Sequence, residues 1–105
     1  MVSVSGLEDI RDGTWVRVAG AVIVRQRPGT AKGFVFLTLE DETGLLNVTV
    51  RPQLYERTRL VVRGSAMLLV AGRLQKTHGT LNLRAARFET LDGTPAEGVR
   101  SRDFR

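Results

Sequence analysis

The chain has 105 residues, a net charge of +5, one Trp, one Tyr, four Phe, one His and no cysteine. That length is one ordinary domain, able to bury a core unaided, and the lack of cysteine excludes disulfide staples and thiolate metal sites. No apolar run approaches the roughly 18 residues that span a bilayer, and MVSVSGLEDI at the start lacks a basic head before an apolar stretch. A soluble, cytoplasmic protein without a membrane role is therefore expected.

The positive charge is unevenly spread: residues 51–88 hold eight Lys/Arg against one acid, while acids gather at Glu40, Asp41 and Glu42. No block of like charge is long enough to enforce a disordered arm, so the pattern is that of a folded domain whose surface favours polyanions.

Residues 1–13 read as a lead-in. Trp15–Gln26 (WVRVAGAVIVRQ) is β-branched and alternating, with Val16, Val18, Val22 and Val24 on the core parity and Arg17 and Arg25 on the other. Gly20 in its middle marks a bulge, a bend or a close backbone approach, as a long strand in a small barrel needs. Arg27–Gly33 (RPGTAKG) is a basic, turn-rich loop. Phe34–Glu40 and Leu45–Arg51 form a hairpin about the tight turn Asp41–Gly44, in which acidic and Thr side chains bond their own backbone. One face of the hairpin is apolar, and the other carries Phe34, Phe36, Asn47, Thr49 and Arg51.

At Pro52 the period changes to that of a helix: Leu54, Tyr55, Thr58, Val61 and Val62 share one side, and Gly64 is placed for the C-terminal cap. Ala66–Gln75 is a fourth strand with Leu68, Val70 and Leu74 inward, and Met67 and Leu69 on the opposite parity with Leu45. Lys76–Thr80 is a turn, and Leu81–Glu89 a fifth strand whose alternation slips near Ala85-Ala86. Periodicity ends there, so residues 14–90 are read as the domain and 91–105 as a flexible tail. The order β-β-β-α-β-β is that of an all-β fold, the five-stranded Greek-key OB-fold barrel with one α-helix between strands 3 and 4.

The stretch Val16–Arg59, with VRVAG, RQRPGTAKG and FLTLEDETG, followed by Ala71–Leu91 with GRLQ, closely resembles the C-terminal OB-fold region of bacterial C-family DNA polymerase III alpha subunits, above all the error-prone branch. The closing SRDF resembles the end of those polymerases, with Arg105 where a His is usual. The resemblance implies a module that binds single-stranded template beside a polymerase active site. The catalytic core of that family, with its metal-binding aspartates, lies outside these 105 residues, so no polymerase activity of the chain's own is expected. The same pattern resembles the anticodon-binding OB domain of class II aminoacyl-tRNA synthetases. There the aromatic matched by Phe36 stacks on a base and the polar residue matched by Asn47 bonds a base edge.

Single strands need cations for phosphates and aromatic faces for bases. Phe34 and Phe36 supply the faces, and Asn47 and Thr49 supply polar groups for base edges. Arg17, Arg25, Arg27, Lys32 and Arg51 are the phosphate candidates, with Arg73 and Lys76 bordering the loop between the last two strands. Trp15 shares the parity of Arg17. His78 reads as an exposed turn residue without an acid to orient it, so no catalytic residue, metal or cofactor is expected. The expected function is single-stranded DNA binding in replication or repair, with a polymerase or repair protein as a further partner. The alternatives are RNA binding of the anticodon type, and a protein-interaction module in which Leu45, Met67 and Leu69 join Phe34 and Phe36 in one exposed patch.

Overall fold

Strand periodicity and turn chemistry place the elements close to where the sequence predicts them. The structure, a computed structural model, describes residues 1–29 and 32–91. The strands are β1 (Trp15–Gln26), β2 (Val35–Asp41), β3 (Gly44–Val50), β4 (Met67–Thr77) and β5 (Thr80–Glu89), with helix α1 (Pro52–Gly64) between β3 and β4. They close into a barrel in the order β1-β2-β3-β5-β4, with β1 also paired to β4. Every pairing is antiparallel except β3 with β5. This is the all-β OB-fold.

The inward parity of each strand fills the barrel: Val18, Leu37, Leu39, Val48, Leu68, Val70, Leu83 and Phe88 are essentially inaccessible. Helix α1 closes one end with Leu54, Val61 and Val62. Thr58 is buried there at no cost in hydrogen bonds, because its Oγ1 donates to Leu54 O at 2.7 Å. Gly64 does not provide the expected left-handed cap. It stays helical, and the chain leaves through Ser65 in extended conformation at φ −98°. The other end is closed by the lead-in, where a 3₁₀ turn at Ser5–Asp9 puts Val4 and Leu7 into the core. No helix among the described residues is long and apolar enough to cross a membrane.

Two bulges depart from simple alternation. In β1, Val22 pairs with Leu39 and Val24 with Thr38, which leaves Ile23 as the extra residue. A one-residue insertion exchanges the faces of everything beyond it. Val24, expected in the core, is therefore exposed, and Arg25 moves to the parity of its partner Leu37. Gly20 is not the bulge but a close approach, since a Cβ there would lie 2.9 Å from Glu40 O. The second bulge explains the slip in the fifth strand: Ala71 pairs with Arg87 and Gly72 with Ala85, so Ala86 is extra. The β4–β5 turn places His78 (φ 53°) and Gly79 (φ 79°) between the paired residues Thr77 and Thr80. Those are the dihedral signs of a two-residue type I′ turn, and His78 is exposed in it.

Candidate nucleic-acid interface

The outward residues of the barrel line up across the strands. Phe36 pairs with Thr49, Thr49 with Arg84, Arg84 with Arg73, and Arg73 with Trp15, so one transverse row crosses β2, β3, β5, β4 and β1. Beside it a shorter row places Thr38, Asn47 and Asn82 abreast. Phe36 is 37% exposed, and Phe34, immediately before β2, is 36% exposed. Exposed phenyl rings on a sheet face are available for stacking.

Three depressions run along this surface. The first, about 640 Å³, is lined by Lys32, Phe34, Thr49, Arg51, Pro52, Gln53, Arg73, Arg84, Ala85 and Ala86, four cations and no acid. Thr49 joins it to a second of about 300 Å³ holding Phe36, Asn47, Thr38, Gln26 and Asn82. Asn47 and Thr80 join that one to a third of about 500 Å³, which reaches Lys76 and Leu45. The result is one shallow groove across β2, β3 and β5, with four cations and no acid at one end, amides and hydroxyls along its floor, and Lys76 with Glu8 at the other end.

The groove gathers most of the residues the sequence nominates: Lys32, Phe34, Phe36, Asn47, Thr49, Arg51, Arg73 and Lys76. Among the described residues the side chains of Lys32 and Asn47 make no hydrogen bond or ion pair, which leaves them open to a ligand. Thr49 and Asn82 bond each other, with Asn82 Nδ2 donating to Thr49 Oγ1 at 2.8 Å, and Arg51 reaches Ala85 O at 3.4 Å. Lys76 donates from Nζ to Glu8 O at 2.7 Å. Three other nominees lie off the groove. Arg25, turned by the bulge at Ile23, donates to Val62 O at 2.8 Å and Ser65 O at 2.6 Å, so its guanidinium satisfies carbonyls at the end of α1. Arg27 lies 5.2 Å over the Tyr55 ring, and Arg17 pairs with Glu89 at 3.6 Å.

Sequence reasoning missed Arg84, Asn82 and Gln26. Arg84 is the most consequential, an exposed cation in the cleft without a partner among the described residues. The alternation of Leu81, Leu83 and Ala85 was signal enough to turn Asn82 and Arg84 outward. The single apolar patch that the alternative protein-interaction reading calls for does not form: Leu69 is buried, and Met67 sits in a separate depression with Glu40 and Glu42.

The acidic turn is internally saturated. Asp41 Oδ1 accepts from the Thr43 N–H and hydroxyl, each at 2.7 Å, and from the Gly44 N–H, while Oδ2 accepts from the Val4 N–H at 2.8 Å. Burial, the largest single influence, pushes its pKa up. The four hydrogen bonds together outweigh that push and hold the carboxyl below its ordinary value.

A closed five-stranded barrel with a cationic, aromatic groove over its second and third strands defines a class, and residues 16–91 match the model of the OB-fold nucleic acid binding domain of tRNA-anticodon type. The chain belongs to that family. Within it, the chain is similar to the error-prone DNA polymerase of Anaeromyxobacter sp. (strain K), 53% identical over 89 residues, and to that of Corynebacterium efficiens, 48% identical over 99. Those stretches are 85% and 94% of this chain but 8% and 9% of the polymerases, so the likeness is to a small OB-fold portion of them. Part of asparaginyl-tRNA synthetase from Pyrococcus horikoshii has the same fold, with a TM-score of 0.71 and 22% identity over 86% of this chain and 22% of that one.

Proposed function

We propose that this OB-fold domain binds single-stranded DNA with little sequence preference, as a template-holding module beside a polymerase in cytoplasmic replication or repair, without polymerase activity of its own. The observation that carries the reading is the groove itself: four cations and no acid in one cleft, continuous with half-exposed rings and an unengaged amide. Phe34 and Phe36 stack on bases, Asn47 bonds base edges beside the Thr49–Asn82 pair, and Lys32, Arg51, Arg73 and Arg84 hold phosphates. Arg17, Arg27 and Lys76 add longer-range attraction. Arg25 positions β1 against α1.

Similarity to error-prone DNA polymerases supports DNA over RNA, and the polarity of the barrel supports a strand crossing near α1, away from the acidic turn. Fluorescence anisotropy of a labelled single-stranded DNA of about 15 nucleotides, within the range OB folds occupy, tests it against RNA and duplex competitors. Single-stranded DNA is expected to win, with a log–log salt slope of roughly −3 for about four phosphates. Preference for RNA of the same sequence would convert the reading to an anticodon-type module, and no binding at low salt would remove it.

A further inference from the structure

Trp15 is unused by the groove as described, yet it ends the transverse row that begins at Phe36. It is the only tryptophan in the chain, 46% exposed, and Arg73 lies 5.5 Å over its ring. Arg73 also lines the four-cation cleft next to Arg84, so the cleft and the tryptophan share a side chain. From Thr49 to Trp15 the row crosses three strand spacings, on the order of 14 Å, with only cations in between.

We propose that a bound single strand does not leave the barrel at β3 but continues over β5 and β4, with Arg84 and Arg73 on its phosphates and a base stacked against Trp15. This rests on the reading of the groove as a single-strand site and extends it to a second stacking station on β1. Charge complementarity and continuity with the groove identify the occupant. A neutral surface beyond β3 would give a polyanion nothing to follow, whereas Arg84 and Arg73 offer two successive counter-charges and then an aromatic face. The Arg73–Trp15 stack holds the indole in place, so less side-chain freedom is lost when a base arrives.

Trp15 is its own reporter. Oligothymidylates of about 4 and about 12 nucleotides, spanning the sizes an OB fold accommodates, are titrated while tryptophan emission and the anisotropy of a label on the DNA are read together. The longer strand is expected to quench emission about twofold and the shorter one to bind with little quenching. Trp15→Leu is expected to weaken the longer strand about 5- to 150-fold and the shorter one hardly at all, with Trp15→Tyr retaining the affinity through its ring. Arg84→Ala should flatten the salt slope of the longer strand by about 0.7. Binding of the longer strand at full affinity with unchanged emission, or a Trp15→Leu variant that binds both lengths as the parent does, overturns the extension while leaving the groove intact. Absence of binding at either length overturns the groove and the extension together.

Discussion

Strand alternation assigns both Phe36 on β2 and Arg25 on β1 to a polar face, and the structure gives them opposite work. Phe36 faces the groove with its ring exposed, whereas Arg25 is tied to the carbonyls of Val62 and Ser65. Phe36→Ala is expected to cost about 1–3 kcal/mol of single-strand affinity and little stability, since no core contact is lost. Arg25→Ala should do the reverse, lowering stability by about 1 kcal/mol through two lost helix-end hydrogen bonds and changing affinity less than about twofold. Anisotropy and denaturant melts on the two variants separate the effects. Asp41 makes the pH dependence predictable. Its native pKa is lowered by hydrogen bonds that outweigh burial, so its contribution to stability is full above the unfolded value near 3.9 and is lost as pH falls through the lower native value. Chemical melts should show the loss of stability as pH falls below about 4 diminished in Asp41→Asn, which cannot titrate.

At the scale of elements, the order of strands, the helix and both hairpin turns were legible because each is written in local chemistry: period 2, period 3.6, DETG, THGT. The bulge at Ile23 was not, because Val22, Ile23 and Val24 are all β-branched and nothing local says which one lacks a partner. That single ambiguity misplaced Val24 and Arg25 and hid Gln26. The bulge at Ala86 was visible as a slip, but its cause lies on the neighbouring strand at Gly72, where a Cβ would press far inside contact distance of Arg84 O. Gly72→Ala is expected to force β4 and β5 apart, costing about 2–3 kcal/mol and disturbing the backbone that holds Arg84 in the cleft. Gly64 is the contrasting case, helical and with nothing within 4 Å of a new Cβ. Gly64→Ala should therefore raise stability by about 0.5–1 kcal/mol through helix propensity. The site was legible wherever alternation fixed a face, as at Phe36, Asn47 and Thr49. Its continuity was not, because register between β3 and β5 joins residues more than thirty positions apart.

The whole molecule is a barrel stoppered differently at its two ends, and the stoppers set its electrostatics. Lys32 and Arg51 lie by the helical end, while Glu40, Asp41 and Glu42 lie by the lead-in, so a polyanion is drawn across the barrel toward α1. The family match begins at residue 16, yet the lead-in before it is structural: Leu7 is completely buried, Val4 nearly so, and the Val4 and Ser5 amides are bonded to Asp41 and Thr43. In residues 1–13 only the four residues Val2–Ser5 alternate, too short a run to announce a core segment, so the place of Val4 and Leu7 in the core follows from the turn they cover. Leu7→Ala removes a side chain with no accessible surface and should cost about 2–5 kcal/mol, a large share of the roughly 5–15 kcal/mol that holds a small domain together. Urea unfolding is expected to remain one cooperative transition at a lower midpoint with an unchanged slope. Single-strand affinity measured well below that midpoint should match the parent, because Leu7 touches the core beneath the acidic turn and not the groove. A loss of affinity in a variant still fully folded would instead mean that the lead-in shapes the groove through the barrel wall.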